Sequence, residues 1–197
     1  MKIGIYGGTF NPIHIGHTSL AKSLIDQGLV DEVWLLVSPL NPFKQSNTSE
    51  FAEYHHRYRM AKLAVKNIQG LRASDFENHL PVPSYMYTTL CELSKQYPEH
   101  EFSLVIGADN WERFSGWYRS DDLKAKFNIL VYRRPGYELD EHNVNIVDTP
   151  LYDISSTQLR QAINKGERPK EWLAPNVLRY IIRHKLYSSS CVADNKG

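Results

Sequence analysis

Short apolar runs alternate with longer stretches of helical spacing along the chain. Consecutive apolar residues are typical of buried strands, whereas apolar residues three and four positions apart are typical of amphipathic helices. The apolar runs predict strands at 2–6, 32–37, 71–74, 101–106, 126–132 and 144–147. The helical spacings predict helices at 16–27, 54–67, 85–96, 156–164 and 175–184.

The alternation of strands with helices predicts an α/β fold. Parallel strands need long crossover connections, and these place helices on both faces of the sheet. We therefore expect a Rossmann-like, doubly wound parallel sheet in a single domain over residues 1–187, followed by a flexible polar tail at 188–197. Ligands of such sheets bind beyond the carboxyl ends of the strands. The loops that could carry a site are therefore 7–17, 38–48, 107–118, 133–137 and the start of the helix at 156.

Composition narrows the class of protein. Hydrophobic residues make up 42% of the 197 residues, which is enough for a folded core. The net charge of +1 lacks the basic excess of a nucleic-acid-binding domain, so a small-molecule partner is expected. The sequence has neither an apolar run long enough to span a membrane nor the pattern of a signal peptide, so we expect a cytoplasmic protein without a membrane partner. Cys91 and Cys191 are interpreted as ordinary thiols, because two cysteines do not make a disulfide framework.

The loop after the first strand, GGTFNPIHIGH from Gly7 to His17, is the first candidate for chemistry. Its two glycines allow the backbone to approach a ligand closely, and the following helix directs its N-terminus at the same space, which favours an anion. His14 and His17 lie three positions apart, so both imidazoles face one side of the first helical turn, where they suit phosphate oxygens. A metal site would need a third ligand, and none has a convincing spacing.

The helix that begins near residue 155 is a second candidate for binding an anion. Its first residues, ISSTQLR, offer hydroxyl groups that can cap the helix and amide groups beyond the cap. Arg160 lies three positions after Thr157 and four after Ser156, so its guanidinium overhangs the same turn. Taken alone, this segment is more typical of a capped amphipathic helix that carries a surface arginine.

Together, the two motifs resemble those of the nucleotidyltransferase superfamily with the His-x-Gly-His motif, and nearly the whole chain is similar to bacterial nicotinate-nucleotide adenylyltransferases. The similarity extends to Trp117 and to SPLNPFK at 38–44, HRYRMAKLAV at 56–65, PSYMYTTL at 83–90, IGADN at 106–110, RRPG at 133–136 and the closing YIIRHKLY at 180–187. The resemblance implies transfer of the adenylyl group of ATP to nicotinate mononucleotide, which gives nicotinate adenine dinucleotide and pyrophosphate in NAD biosynthesis. It also implies Mg²⁺, carried by the ATP.

The resemblance implies roles for particular residues. Those that would contact the phosphates of ATP carry hydrogen-bond donors or positive charge, and they are His14, His17, Lys44, Ser156, Thr157 and Arg160. Those that would line the dinucleotide cleft or meet the adenosine are Gly8, Thr9, Phe10, Asn11, Gly107 and Asp109. Trp117 would stack on the pyridine ring, in a pocket that Tyr85 and Met86 complete. Arg134 would lie near the nucleotide phosphate or the ring. His14, His17, Lys44 and Arg160 are the predicted catalytic residues.

Two positions depart from the family pattern. Asn11 stands where the family usually has Asp, which removes a charge that Mg²⁺ could use. Met86 stands where the family usually has Thr, which removes a hydroxyl aimed at the nicotinate carboxylate. Nicotinamide mononucleotide and phosphopantetheine therefore remain possible acceptors. A sister enzyme that uses a cytidylyl donor also remains possible. The pocket formed by Tyr85, Met86 and Trp117 is the feature that would distinguish these substrates.

Two other classes of protein share part of the pattern. A non-catalytic nucleotide sensor would keep the fold but lose the residues that contact phosphates, and the predicted ones are all present here. A fragment of a tRNA ligase would share the string His-Ile-Gly-His, but this chain is too short to carry a tRNA-binding domain as well. The oligomeric state is open, a homo-oligomer included.

Overall fold

The computed structural model describes residues 1–39, 51–81, 83–140 and 145–188. The strands are β1 (Lys2–Gly8), β2 (Glu32–Val37), β3 (Leu71–Ser74), β4 (Glu101–Gly107), β5 (Asn128–Tyr132) and β6 (Asn145–Val147). The helices are α1 (Ile15–Asp26), α2 (Tyr54–Val65), α3 (Met86–Gln96), α4 (Ala108–Glu112), α5 (Ser120–Lys126), α6 (Ser156–Asn164) and α7 (Pro175–Arg183). Short 3₁₀ turns lie at Phe76–His79 and Phe114–Gly116.

In the described part of the chain, six parallel strands form one sheet in the order β3-β2-β1-β4-β5-β6. The strand order reverses between β1 and β4, which is the topological switch point of a doubly wound sheet. In the register of the sheet, Gly8 at the end of β1 pairs with Val37, and Gly107 at the end of β4 pairs with Tyr132. The strands thus end along one edge, which we call the carboxyl edge. The predicted α/β sheet is confirmed.

Alternate side chains of the central strands enter two separate apolar clusters, one on each face of the sheet. In β2, Val33 and Leu35 belong to the cluster that contains residues of α1, α2, α6 and α7, whereas Trp34 and Leu36 belong to the cluster that contains residues of α3 and α5. Successive side chains of a strand point to opposite faces, so a strand covered on both faces is apolar throughout. This double burial accounts for the unbroken apolar run EVWLLV.

The structure contains two short helices where the sequence predicts none. Helix α4 lies within the predicted loop 107–118, and α5 follows after the 3₁₀ turn at Phe114–Gly116. Both are short and mostly polar, ADNWE and SDDLKAK, so they carry too few apolar residues to establish a helical period. The predicted strand at 126–132 was wrong at its start, because Lys126 still belongs to α5 and β5 begins at Asn128.

Some predictions lie beyond what the structure describes. Residues 189–197 of the predicted tail and Lys44 are outside the described residues. The domain boundary at 187 stays a prediction. None of the described helices combines the length and the apolar composition needed to cross a membrane.

The packing at the centre of the sheet predicts a large cost for removing a side chain there. Leu104 in β4 is fully buried. We expect Leu104→Ala to lower the free energy of unfolding by about 3 kcal/mol, because it removes apolar contacts and leaves a cavity. Leu151→Ala is the control, since Leu151 is 59% exposed. Urea denaturation of both variants measures the difference, and equal stabilities would contradict the described packing.

Candidate active site

The candidate site lies where β1 and β4 end side by side. β1 ends at Gly8 and β4 at Gly107, on either side of the switch point. The chain leaves β1 through residues 9–14, which we call the β1 loop, and enters α1. The predicted site residues described by the structure lie in this loop and in the segments around it, whereas Lys44 lies outside the described residues.

His14 and His17 are held by the helix that they begin. His14 is the N-cap of α1, and its Nδ1 accepts a hydrogen bond of 3.1 Å from the amide of Gly16. The Nδ1 of His17 accepts a bond of 3.2 Å from the amide of His14. The two ring centroids are 3.8 Å apart. Because each Nδ1 is an acceptor, each neutral ring carries its proton on Nε2 and can offer it to a ligand.

Both imidazoles are neutral near pH 7 in the ligand-free protein. Burial, followed by the nearby Arg134 guanidinium, lowers the pKa of His14 to about 4. Burial also lowers the pKa of His17, with further contributions from His14 and Arg134. The pair therefore presents N–H donors rather than cations until an anion arrives. A bound phosphate would raise both pKa values, since an opposite charge stabilises the imidazolium.

The N-terminal amides of α1 are less open to a ligand than the sequence suggests. The amide of Ile15 donates to the carbonyl of Trp172 over 2.9 Å, and the amide of Gly16 donates to the His14 ring. The amide of His17 donates to the carbonyl of His14 over 3.0 Å. An anion at this helix would therefore meet the Nε2 donors and the helix dipole rather than a set of unpaired amides.

The start of α6 packs directly on the β1 loop, which brings the two predicted anion sites together. The hydroxyl of Ser156 donates to the carbonyl of Pro12 over 3.0 Å. The Arg160 guanidinium donates through Nη1 to the carbonyl of Asn11 over 2.9 Å and through Nη2 to the Thr157 hydroxyl over 3.3 Å. Among the described residues, the amides of Ser156 and Thr157 have no hydrogen-bond partner. They are the open donors that the sequence predicted beyond the cap.

A doubly wound sheet has a crevice at its switch point, where ligands bind. The side chain of Asn11 lies inside the protein rather than at the surface of this crevice. It is 1% exposed. Its Oδ1 accepts bonds from the amide of Ala52, over 3.1 Å, and from the hydroxyl of Tyr187, over 2.7 Å. The side chain therefore links the β1 loop to two distant parts of the chain. Its predicted role in substrate binding stays a prediction.

Arg57 supports the same loop and was missed from the sequence. It is 4% exposed, and within the described residues its guanidinium donates four hydrogen bonds of 2.8 to 3.1 Å, to the carbonyls of Thr9, Ser38, Pro39 and Ala52. Arg57 thereby joins the ends of β1 and β2 to the approach to α2. A signal was present, because Arg57 precedes Met60 by three positions and so places a charge on the apolar face of α2.

The two glycines that end β1 make room for apolar side chains. A Cβ atom at Gly8 would lie 3.0 Å from the ring of Phe10, and one at Gly7 would lie 2.9 Å from the terminal methyl group of Met86. Phe10 is buried and has a φ of 46°, which is unusual for a bulky residue. These glycines therefore allow close packing at the carboxyl edge, in addition to any approach by a ligand.

A chain of polar contacts crosses the floor of the crevice from β1 to β4. The hydroxyls of Tyr6 and Tyr132 are 3.2 Å apart, and Arg134 donates to the Tyr132 hydroxyl over 3.0 Å. The Nε of Arg134 lies 3.4 Å from Asp109 Oδ1. A Cβ atom at Gly107 would collide with Asp109 Oδ1 and lie 3.0 Å from Arg134 Nε. A side chain at this position would therefore force the Asp109–Arg134 pair to shift.

An aromatic wall flanks the other side of the β1 end. The rings of Tyr85 and Tyr118 have centroids 4.8 Å apart, and both side chains are exposed. Trp117 packs on Phe114 with centroids 5.3 Å apart. Met86, at the start of α3, reaches across to Gly7. Met86 and Trp117 thus pack against the same apolar cluster, and Tyr85 contacts Tyr118, the residue that follows Trp117.

Buried Glu77 fixes α3, and with it the wall. Its carboxylate accepts a hydrogen bond of 3.2 Å from Thr89, which is itself buried in α3. Burial raises the pKa of Glu77, while hydrogen bonds from Thr89 and Ser38 oppose the rise. No feature of the sequence predicts this role, since Glu77 lies in a short, mostly polar turn.

The arrangement can bind an elongated anion. Hydrogen-bond donors from His14, His17, Arg160 and the start of α6 meet at the β1 loop, and the Arg134 guanidinium is near enough to lower the pKa of both imidazoles. Within the described residues, no group of three or more His, Cys, Asp or Glu side chains could hold a metal ion. The chemistry available from these side chains is the binding and orientation of phosphates rather than nucleophilic attack by the protein.

Three comparisons place the chain among known proteins. A family model described as cytidylyltransferase-like matches residues 5–162. A relative from Bacteroides fragilis is 44% identical over 92% of this chain and 92% of its own length. A relative from Bacteroides thetaiotaomicron is 42% identical over 99% of this chain and 96% of its own length. Both are named "probable nicotinate-nucleotide adenylyltransferase". A solved structure of nicotinic acid mononucleotide adenylyltransferase from Plasmodium falciparum, complexed with NaAD, has a TM-score of 0.79 and 22% identity over 94% of this chain and 97% of that chain. At that identity, the structural likeness supports the fold alone.

The buried imidazole at the N-cap of α1 predicts a dependence of stability on pH. The unfolded chain takes up a proton at His14 near pH 6.5, whereas the folded protein does so only near pH 4. Between pH 6.5 and about pH 4 the unfolded state binds more protons than the folded state. The contribution of His14 to the free energy of unfolding is therefore fully present above pH 6.5 and is lost as the pH falls toward about 4. The loss is at most about 1.4 kcal/mol per pH unit for this group.

His14→Asn is the variant that tests this dependence. Asparagine keeps an acceptor for the helix cap but does not titrate. We therefore expect the free energy of unfolding, measured by urea denaturation across this pH range, to fall less steeply with acidification in His14→Asn than in the wild type. Equal slopes in the two proteins would show that His14 is not buried as a neutral imidazole.

Proposed function

Because the chain belongs to the nicotinate-nucleotide adenylyltransferase family, we propose that it transfers the adenylyl group of ATP to nicotinate mononucleotide. The products are nicotinate adenine dinucleotide and pyrophosphate, which places the reaction in NAD biosynthesis. The observation that carries the proposal is the 2.9 Å bond from Arg160 to the carbonyl of Asn11. This bond joins the α6 anion site to the loop that presents the histidine pair, so one triphosphate can reach both.

The reaction needs no nucleophile from the protein. A 5′-phosphate oxygen of the mononucleotide attacks the α-phosphorus of ATP, a new P–O bond forms, and the bond from the α-phosphorus to the bridging oxygen breaks. The pyrophosphate leaves with that electron pair. The attacking phosphate is already mostly ionised near pH 7, because its second pKa is about 6. The difficulty is that two polyanions must meet in line while charge builds on the leaving group.

We assign the neutralisation of that charge to the residues around the β1 loop. The Nε2–H groups of His14 and His17 would donate to phosphate oxygens, and the imidazoles would gain protons as negative charge accumulates. The amides of Ser156 and Thr157 and the Arg160 guanidinium would hold the leaving pyrophosphate. The Mg²⁺ would arrive bound to ATP as part of the substrate. Lys44 remains a sequence-based candidate for additional positive charge.

We assign the binding of the two nucleosides to the residues that follow β4 and β5 and to those near the start of α3. Asp109 would accept hydrogen bonds from the adenosine ribose, and Gly107 would allow the base to lie close to the backbone. Trp117 would stack on the pyridine ring beside Tyr85, and Arg134 would face the acceptor phosphate or the ring. Magnesium, the cytoplasmic location, the absence of a nucleic-acid partner and the oligomeric state stay predictions.

Nicotinamide mononucleotide is the second candidate acceptor, and one observation favours it. The methyl group of Met86 lies over Gly7, where the family usually offers a threonine hydroxyl. A methyl group cannot donate a hydrogen bond to a carboxylate, so the preference for the acid must come from other groups. The backbone amide of Tyr118 is a candidate for that contact, since the amide of Trp117 already donates to the carbonyl of Phe114.

The direct test combines the purified protein with Mg²⁺, ATP and one acceptor at a time, and it follows both pyrophosphate and the mass of the product. We expect pyrophosphate and nicotinate adenine dinucleotide only when ATP and nicotinate mononucleotide are both present. Release that is equal or faster with nicotinamide mononucleotide would contradict the acid preference. Pyrophosphate release with phosphopantetheine but with neither mononucleotide would contradict the proposed acceptor class.

His17→Ala is expected to lower kcat by about 10²-fold, because the transition state loses one preorganised donor to its phosphates. The matched control is His100→Ala, at the amino edge of the sheet beside the start of β4. The control is expected to leave kcat unchanged. Steady-state rates with saturating substrates make the comparison, and a wild-type kcat in His17→Ala would remove His17 from the mechanism.

Met86→Thr is expected to raise the ratio of kcat/KM for nicotinate mononucleotide over nicotinamide mononucleotide by about tenfold. The restored hydroxyl would donate a hydrogen bond to the carboxylate, and such a bond to a charged group is worth about 1.5 kcal/mol. Met86→Leu is the control, because it keeps an apolar side chain of similar volume. A ratio that is the same in all three proteins would show that residue 86 does not select the acceptor.

A further inference from the structure

The hydroxyl of Tyr187 reaches the β1 loop from the far end of the chain. It follows α7 and donates to Asn11 Oδ1 over 2.7 Å, a contact between residues 176 positions apart. Tyr187 has a φ of 62°, a conformation that non-glycine residues seldom adopt. Its ring is half-buried against the apolar cluster that contains α1, α2 and α7. The side-chain contacts thus hold this residue in an unusual backbone conformation, with its hydroxyl directed at Asn11.

The hydroxyl keeps its proton in this position and so acts as a donor. Burial raises the pKa of Tyr187 above its usual range, while Arg160 and Arg57 act in the opposite direction. The neutral phenol therefore donates one hydrogen bond to Asn11 without adding a charge between two guanidinium groups.

Asn11 links Tyr187 to Arg160, the candidate catalytic arginine, because it forms a hydrogen bond with each. Its Oδ1 accepts from Tyr187 and from the amide of Ala52, while its own carbonyl accepts from Arg160 Nη1 over 2.9 Å. The carbonyl of Ala52 in turn accepts from Arg57, which also binds the carbonyl of Thr9. Removing the Tyr187 hydroxyl therefore takes one of the bonds that orient the Asn11 peptide, to which Arg160 is tied.

We propose that Tyr187 is a positioning residue for adenylyl transfer, which acts through Asn11 on the placement of the Arg160 guanidinium at the triphosphate. This inference rests on the proposed function, because it assigns Arg160 to the triphosphate of ATP. It adds to that function a role for a residue after the last helix, more than 20 positions beyond the second motif. Tyr187 itself does not contact the substrate.

The test compares two tyrosine-to-phenylalanine variants that each lose one hydroxyl and keep the ring. Tyr187→Phe removes the bond to Asn11. Tyr180→Phe is the matched control, because the Tyr180 hydroxyl bonds His56 Nδ1 over 2.9 Å at the contact between α2 and α7. We expect Tyr187→Phe to lower kcat/KM for ATP by about tenfold through a displaced guanidinium, with KM for the mononucleotide unchanged. We expect no change in Tyr180→Phe.

A double-mutant cycle with Arg160→Ala separates positioning from general loosening of the fold. If Tyr187 acts through Arg160, its removal has little further effect once the guanidinium is gone, so the two effects on kcat/KM are not additive. A loss of the same factor in the Arg160→Ala background would overturn the proposal. So would a Tyr187→Phe protein that is indistinguishable from Tyr180→Phe.

Calorimetric titration with Mg²⁺ and ATP, without an acceptor, measures ATP affinity. It therefore tests the role of Tyr187 separately from the proposed reaction. Weaker ATP binding in Tyr187→Phe than in Tyr180→Phe supports the positioning role whatever the acceptor is. Equal ATP affinity in these two variants counts against it. A wild-type protein that binds ATP but releases no pyrophosphate with either mononucleotide would contradict the proposed function instead.

Discussion

The candidate site depends on how the backbone of the β1 loop is held from inside the protein. The carbonyl groups of Thr9, Asn11 and Pro12 accept hydrogen bonds from Arg57, Arg160 and Ser156, which belong to α2 and α6. A loop with its carbonyls turned inward and bonded cannot rearrange without leaving buried polar groups unpaired, which costs about 1–3 kcal/mol for each group. The histidine pair, which starts at the last residue of this loop, is therefore fixed before any substrate arrives.

The two histidines of the site are neutral, so the site is not simply a cluster of positive charges. A buried imidazolium without a nearby anion would be costly, and both histidines stay neutral until a phosphate can stabilise the charged form. Positive charge is instead carried by guanidinium groups whose position is set by backbone carbonyls. Since the acceptor phosphate is already ionised, what this reaction needs from a protein is alignment and charge neutralisation, and these are the properties that the crevice has.

Much of the fold could be predicted, because strands buried on both faces are apolar throughout and the longer helices have clear periods. Helices α4 and α5 could not, since they are too short and polar to show a period. Most candidate site residues lie in motifs near strand ends, where the topology brings them together. Arg57 left a weak signal as a charge on an apolar helix face. Tyr187 closes the segment YIIRHKLY, which resembles the family, but its contact with Asn11 could not be predicted because the two residues are distant in sequence.

The most direct test of the central claim follows the phosphorus atoms of ATP. Parallel reactions with nicotinate mononucleotide would contain ATP labelled at either the α- or the γ-phosphorus. Transfer of the adenylyl group predicts that the α label enters the dinucleotide and that the γ label leaves in pyrophosphate. A γ label on the acceptor, or an α label released as AMP without any dinucleotide, would contradict the account.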